Sequence, residues 1–282
     1  MSESIWLNGE IMPLADARIG VKDRGFQFAD GVYEVIRLYN GKPFTLDAHL
    51  RRLQNSARGI RLALPIELPD LGDEIAKFLT AAPLRDGMVY LQLTRGVALR
   101  NHAFTQCKPT LLFYARVLPP IPDPPAGEGV KLLSVSDERW KRCWIKSIAL
   151  LPNVLAKNQA LAAGADEAVF IDDQRVTECS SSNLFAVIGQ RLITHPAGSK
   201  VLPGITRAIL LELAPKLGVV VEERALPEEE ACRADEIFIT STTREISWVA
   251  RWNDRPIGQN RYGPITLKLH IALRQKIARE TA

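Results

Sequence analysis

Five prolines fall within seven residues in Val117-Leu-Pro-Pro-Ile-Pro-Asp-Pro-Pro-Ala-Gly-Glu-Gly129. Proline fixes φ and removes an N–H donor, so such a stretch forms neither a helix nor a central strand. A segment that cannot join either element divides the chain. The division predicts a small N-terminal α/β domain over residues 1–118, a proline-rich linker over 119–128, and a larger C-terminal domain over 129–282. Both domains lie in the usual size range.

Turn signals organise the first part. Asn8-Gly9 separates Ser4–Leu7 from Ile11–Leu14, and Asn40-Gly41 separates Val32–Tyr39 from Pro43–Leu46. Both read as hairpins. A helix follows, with Asp47 as its N-cap and Leu50, Leu53 and Ala57 on one face; a second helix is expected over about 70–80. Strands at Met88–Thr94 and Thr110–Val117 bracket a loop with Arg100 and His102. The class is α+β rather than a βαβ repeat.

The second part opens with a strand at Val130–Ser136, then a helix over Leu155–Ala163. Two hairpins follow, Glu167–Asp172 with Arg175–Glu178 and Leu184–Ile188 with Arg191–Thr194. Ile205, Ile209, Leu213 and Leu217 mark a helix ending at Gly218. Val219–Glu223 and Glu236–Thr240 are strands, and Ile265, Leu269, Leu273 and Ile277 mark a last helix.

Several functions are disfavoured by what the sequence lacks. The net charge of +4 has no block of like charges, so no nucleic-acid partner is expected. The closest cysteines are 36 residues apart, and no histidines show ligand spacing, so no metal is expected. No run of about 18 apolar residues and no leader pattern occurs, giving no membrane partner and a reducing cytoplasm. Neither a Gly-x-Gly-x-x-Gly, a P-loop nor a Gly-x-Ser-x-Gly is found.

The candidate chemistry is more particular. Lys146 interrupts the apolar run Cys143-Trp-Ile-Lys-Ser-Ile-Ala-Leu-Leu151. Burial disfavours an ammonium, and a neutral amine can condense with a carbonyl; the plain alternative is a lysine that snorkels to water. Glu178 ends a strand just before Cys179-Ser-Ser-Ser-Asn183, and could face a ligand nitrogen or be an ordinary turn carboxylate. Leu202-Pro-Gly-Ile-Thr206 runs into a helix start, where free N–H groups suit a phosphate, as could Thr240-Ser-Thr-Thr243. Arg100 and His102, two residues apart, could aim at one anion or belong to a mobile loop.

Seven segments in register give the chain a family likeness: Asp23–Val35, His49-Leu-Arg-Arg-Leu53, Thr94–His102, Ile145-Lys-Ser147, Thr177–Asn183, Leu202–Arg207 and Thr240–Thr243. The chain resembles the fold-type IV pyridoxal-phosphate enzymes, most closely the bacterial D-amino acid aminotransferases. The resemblance implies a two-domain α+β fold and pyridoxal 5'-phosphate as cofactor. It implies transamination between D-amino acids and 2-oxo acids, and a homodimer whose active sites are shared across the interface. Lys146 matches the lysine that holds the cofactor as an internal aldimine. Glu178 matches the carboxylate at the pyridine nitrogen. Arg52, Ile205, Thr206 and Thr242 match phosphate anchors, and Leu202 a residue packed on the ring. Tyr33, Arg100 and His102 match the trap for the substrate carboxylate, the last two reaching over from the neighbouring subunit. Cys179 replaces a smaller residue, and Arg37 stands where D-specific relatives carry lysine. The Glu34-x-x-Arg37 pattern belongs to branched-chain relatives, so a branched-chain L-amino acid aminotransferase is one alternative and an aminodeoxychorismate lyase another.

Overall fold

The computed structural model describes residues 3–121, 128–259 and 261–282, so most of the expected linker over 119–128 lies outside the described residues. The chain divides into two compact units. The first comprises residues 1–120, 145–149 and 280–282, and the second comprises 121–144 and 150–279. Lys146 thus belongs with the first unit, which a single cut at the prolines does not anticipate.

In the first unit the described residues form a six-stranded antiparallel sheet. From edge to edge its strands are Glu10–Pro13, Ser4–Leu7, Thr110–Val117, Gly87–Thr94, Gly31–Tyr39 and Lys42–Pro43. Both Asn-Gly turns close with positive φ at each residue, 51° and 104° at Asn8-Gly9 and 50° and 80° at Asn40-Gly41. That conformation matches the twist of the flanking strands. One face carries Val32, Ile36, Leu38, Val89, Leu91, Leu93, Leu111 and Phe113, all buried. The amphipathic helices Leu46–Gly59 and Leu68–Ala81 supply the complementary Leu50, Leu53, Leu71, Ile75 and Phe78. Phe113 stacks on Trp6 at 4.8 Å and meets Phe78 edge-on at 5.4 Å. The opposite face carries a row of tyrosines, Tyr33 5.9 Å from Tyr90 and Tyr90 5.3 Å from Tyr114.

Two local expectations are corrected here. The cap of the first long helix is Thr45, at φ 54°, and Asp47 lies inside the first turn, where the helix dipole favours an acid. The returning strand is only Lys42–Pro43, because Leu46 already belongs to the helix.

The second unit is built on a ten-stranded mixed sheet. Its order is Val220–Glu223, Arg191–Thr194, Asn183–Ile188, Glu236–Ser241, Glu245–Trp252, Val130–Ser136, Glu167–Asp172, Arg175–Cys179 and Leu226–Pro227, with Arg255–Pro256 paired to Glu245–Trp252. Val130–Ser136 and Glu167–Asp172 are parallel neighbours on either side of helix Leu151–Ala162 in the chain. Ala156 and Ala160 of that helix pack with Val135, Ala168 and Phe170. This helix starts four residues before the expected Leu155, with Pro152 in its first turn, a position that needs no N–H donor. The strand Glu245–Trp252 was not foreseen. Most of its residues are buried, so it lacks the alternation that announces a half-exposed strand. The helices Ile205–Lys216 and Pro264–Thr281 complete the unit, with the short Glu228–Ala231. Glu236 caps the last helix, accepting from Ile265 N at 3.0 Å and Thr266 N at 2.8 Å. No helix among the described residues is long and apolar enough to cross a membrane.

Candidate active site

Lys146 is held by its backbone against strand Gly31–Tyr39. Tyr33 N donates to Lys146 O at 3.0 Å, Ile148 N donates to Gly31 O at 3.2 Å, and Ser147 bridges to Val32. Lys146 N in turn donates to Ser56 Oγ at 3.0 Å. With both backbone groups fixed, the half-buried side chain carries its Nζ 4.2 Å from the centre of the Tyr33 ring. A cation near a ring face is stabilised by the ring's quadrupole.

Arg52, on the same helix as Ser56, is buried and engaged. Its Nε and Nη2 donate to Glu34 Oε1 and Oε2 at 2.7 and 2.8 Å, and His49 Nδ1 lies 2.8 Å from Oε2. Burial works to raise the Glu34 carboxyl, but Arg52 and His49 outweigh it and hold it at about 2. Glu34 is therefore an acceptor only, which makes His49 Nδ1 the donor. Burial, and the charges of Arg52 and Lys146, lower the His49 pKa against the pull of Glu34. Glu34 faces the helices whereas Tyr33 faces the other side, as alternation along a strand requires.

Arg100 and His102 are exposed and lie together on Phe28. The Arg100 Cζ is 4.9 Å from the ring centre, and the imidazole meets the ring edge-on at 5.5 Å. Tyr33 has different neighbours within the chain, Tyr90 and Lys146.

In the second unit Glu178 is buried among donors. Arg139 Nη1 donates to its Oε1, Asn183 Nδ2 to Oε2 at 2.9 Å, and Leu202 N to both at 3.2 Å. Burial still pushes the carboxyl up to about 7, against the pull of Arg139. Arg139 is itself gripped by Asp137, through Nε at 2.9 Å and Nη2 at 2.8 Å, and lies 4.2 Å over Phe170. Asn183 also donates to Leu202 O at 2.9 Å, so one amide ties Glu178 to the segment entering the next helix. A Cβ added to Gly204 would come within 2.0 Å of Asn183 Oδ1, which explains the glycine there.

That helix begins at Ile205 with no side-chain cap on its first turn, and Thr206 is buried. Thr242 is half-buried in the turn after strand Glu236–Ser241. Ser182 Oγ and Thr240 Oγ1 are buried with no hydrogen-bond partner. Ser180 and Ser181 are fixed by Glu167, which accepts from Ser180 Oγ, Ser181 N and Ser181 Oγ, each at 2.8 Å. Cys179 is accommodated at 2% exposure in the apolar core of this unit.

Arg139, Asn183, Ser56 and Phe28 were not singled out from the sequence. Asn183, Ser56 and Phe28 sit within or beside segments that were. Arg139 lies in Asp137-Glu-Arg-Trp140, which reads as surface charge, and its partner Glu178 is 39 residues away.

The chain matches the amino-transferase class IV family over residues 31–252. It is 40% identical over 279 residues to the D-alanine aminotransferase of Bacillus licheniformis, covering 99% of this chain and 98% of that protein. The D-alanine aminotransferase of Listeria monocytogenes is 39% identical over 279 residues, covering 98% and 96%. Among solved structures, the T.th. branched-chain amino acid aminotransferase with pyridoxamine 5'-phosphate superposes with a TM-score of 0.90 at 27% identity, covering 99% of this chain and 95% of that one. Agreement in sequence and in fold over nearly the whole length places this chain in the class IV aminotransferases, the fold-type IV enzymes that depend on pyridoxal phosphate.

Proposed function

We propose that the chain transaminates D-amino acids with 2-oxo acids as acceptors. The observation that carries this reading is the 40% identity to a D-alanine aminotransferase across 99% of the chain. When bound, pyridoxal phosphate supplies an aldehyde that takes up amino groups and a ring that spreads the charge left at the substrate's α-carbon. The residues fit such a group: a lysine with a fixed backbone, an uncapped helix start, buried hydroxyls with no partner, and a buried carboxylate whose pKa lies near neutral.

Lys146 would be the amine that holds the cofactor, and its Nζ would take and return the proton at the substrate's α-carbon. Tyr33 limits where its Nζ can go. Glu178 would hold the ring nitrogen of the bound cofactor, and a proton there would favour the ionised carboxylate that burial opposes. Ile205 and Thr206 would offer first-turn N–H groups to the phosphate, with Thr242 and the guanidinium of Arg52, and Leu202 would pack against the ring. Tyr33, Arg100 and His102 bind the substrate's α-carboxylate. An enantiomer bound the other way round would leave those donors unpaired, and each such loss costs about 1–3 kcal/mol.

Arg100 and His102 act in the site of a neighbouring subunit, so the active unit is a homodimer. Val97, Leu99 and Phe104, more than half exposed on the same loop, support cover by a partner. Four free cysteines support a reducing cytoplasm.

The reading is tested by turnover of D-alanine and D-glutamate against L-leucine and L-isoleucine with one 2-oxo acid acceptor. Faster turnover of the L-amino acids would install the branched-chain reading, which the fold of the T.th. enzyme and the Glu34-x-x-Arg37 pattern favour. Borohydride reduction of the loaded enzyme should fix the cofactor to Lys146. An adduct on Lys22 or Lys157 would remove Lys146 from its role.

A further inference from the structure

Arg100 and His102 lie on an exposed loop, where polar side chains ordinarily sample many rotamers and lose that freedom on binding. Here both meet one half-buried ring. Phe28 has the Arg100 Cζ at 4.9 Å and the His102 ring edge-on at 5.5 Å. A second guanidinium, that of Arg24, is 5.0 Å from the same ring. Arg24 is 3% exposed and is locked by Asp30 through Nε at 2.8 Å. Its Nη1 donates to Asn101 O, the carbonyl between the two loop donors. Asp30 also accepts from Arg95, through Nε at 2.8 Å and Nη2 at 3.0 Å, and the Arg95 guanidinium lies 4.0 Å over the Phe104 ring of the loop.

We propose that Phe28 is a positioning residue for carboxylate recognition: its ring holds Arg100 and His102 together as a preorganised donor pair, while Arg24 fixes the backbone between them. This rests on the reading that these two residues bind the substrate carboxylate. Phe28 and Arg24 belong to the same chain as the loop, so the pair is set before any partner or substrate arrives. Phe28 does not touch the reacting atoms. Its contribution is to reduce the ordering that substrate binding would otherwise require.

The test is steady-state kinetics of the holoenzyme with Phe28→Leu and Phe28→Met, which fill the same space without a ring, and Phe28→Tyr, which keeps the ring. The expected result is a KM for D-alanine raised roughly tenfold by Leu and Met, with kcat within about twofold, and a near wild-type KM with Tyr. The inhibition constant of propionate, a carboxylate with no amino group to react, should rise in parallel. Adding Phe28→Leu to the Arg100→Ala, His102→Ala double variant should raise KM no further, because the ring acts through those two side chains. Unchanged KM and propionate inhibition in both ringless variants, with a raised KM in Arg100→Ala, would overturn the role of Phe28 and leave the carboxylate reading standing. An unchanged KM in Arg100→Ala would instead overturn the carboxylate reading itself. A fall in kcat and melting temperature with KM and propionate inhibition unmoved would mark Phe28 as a packing residue and overturn the proposal.

Discussion

Glu34 receives Arg52 with both carboxylate oxygens, Oε1 from Nε at 2.7 Å and Oε2 from Nη2 at 2.8 Å, at a position with no solvent exposure. A guanidinium held in this fork keeps its charge in one place. The carboxylate that fixes it is set by strand alternation and the helix register, not by the segment around Arg52.

Removing that carboxylate should be costly. Glu34→Gln takes the countercharge from a buried guanidinium, for which about 3–5 kcal/mol of lost stability is expected from denaturant unfolding. The pH dependence has a definite sign. The folded pKa of about 2 lies below the ordinary 4.5, so the unfolded chain takes up the proton first as pH falls. The stabilisation is complete above pH 4.5 and is lost between 4.5 and 2, by roughly 3 kcal/mol. Urea titrations across this window should show a loss larger in wild type than in Glu34→Gln by that amount.

Glu178 behaves oppositely. Its folded pKa, about 7, lies above the ordinary 4.5, so the folded chain favours the protonated form. Without cofactor this contribution is complete below pH 4.5 and disappears as pH rises through 7. The apo-enzyme should lose melting temperature across that window relative to Glu178→Gln. The holoenzyme should not, since a ring cation favours the carboxylate. In the loaded enzyme, Glu178→Gln should lower turnover on the order of 100-fold or more. A flat profile for the wild-type apo-enzyme would show that Arg139 and the amide donors already keep Glu178 ionised.

Asn183 joins Glu178 to Leu202 with one amide. Asn183→Ala should destabilise the chain by about 1–3 kcal/mol in guanidinium unfolding, because Leu202 O loses a buried donor. Asn183→Asp should be worse, placing a second carboxylate against Glu178. Equal stability of the two variants would argue that the amide acts by shape alone.

Shared sites can be tested by mixing subunits. Lys146→Ala and Arg100→Ala chains, each nearly inactive alone, should regain activity after co-refolding. One of the two sites in the mixed dimer then contains only intact residues. Sedimentation of wild type as a fully active monomer would end this reading.

The hairpins at Asn8-Gly9 and Asn40-Gly41 were legible because positive φ at two successive residues is a local demand that Asn and Gly meet. The helix over Ile205–Lys216 was legible from one apolar stripe. Lys146 and Glu178 were visible only as residues out of keeping with their surroundings, and their assignment came from the register of seven segments. The partners that tune them were not legible. Arg139 reaches Glu178 across 39 positions and Arg52 reaches Glu34 across 18, and no local pattern encodes such pairings. The strand Glu245–Trp252 escaped for another reason, being buried on both faces with no alternation to read.

Because Lys146 takes its backbone bond from Tyr33 while Trp144 and Leu150 belong to the other unit, the chain is not a pair of exchangeable cassettes. A chimera spliced at the proline-rich segment would look natural on a sequence map. It would set this lysine beside a foreign tyrosine strand and leave Tyr33 with a foreign lysine. Recombination among relatives is therefore expected to preserve the pairing of residues 31–33 with 145–149 as a unit of inheritance, although more than a hundred residues separate them in the chain.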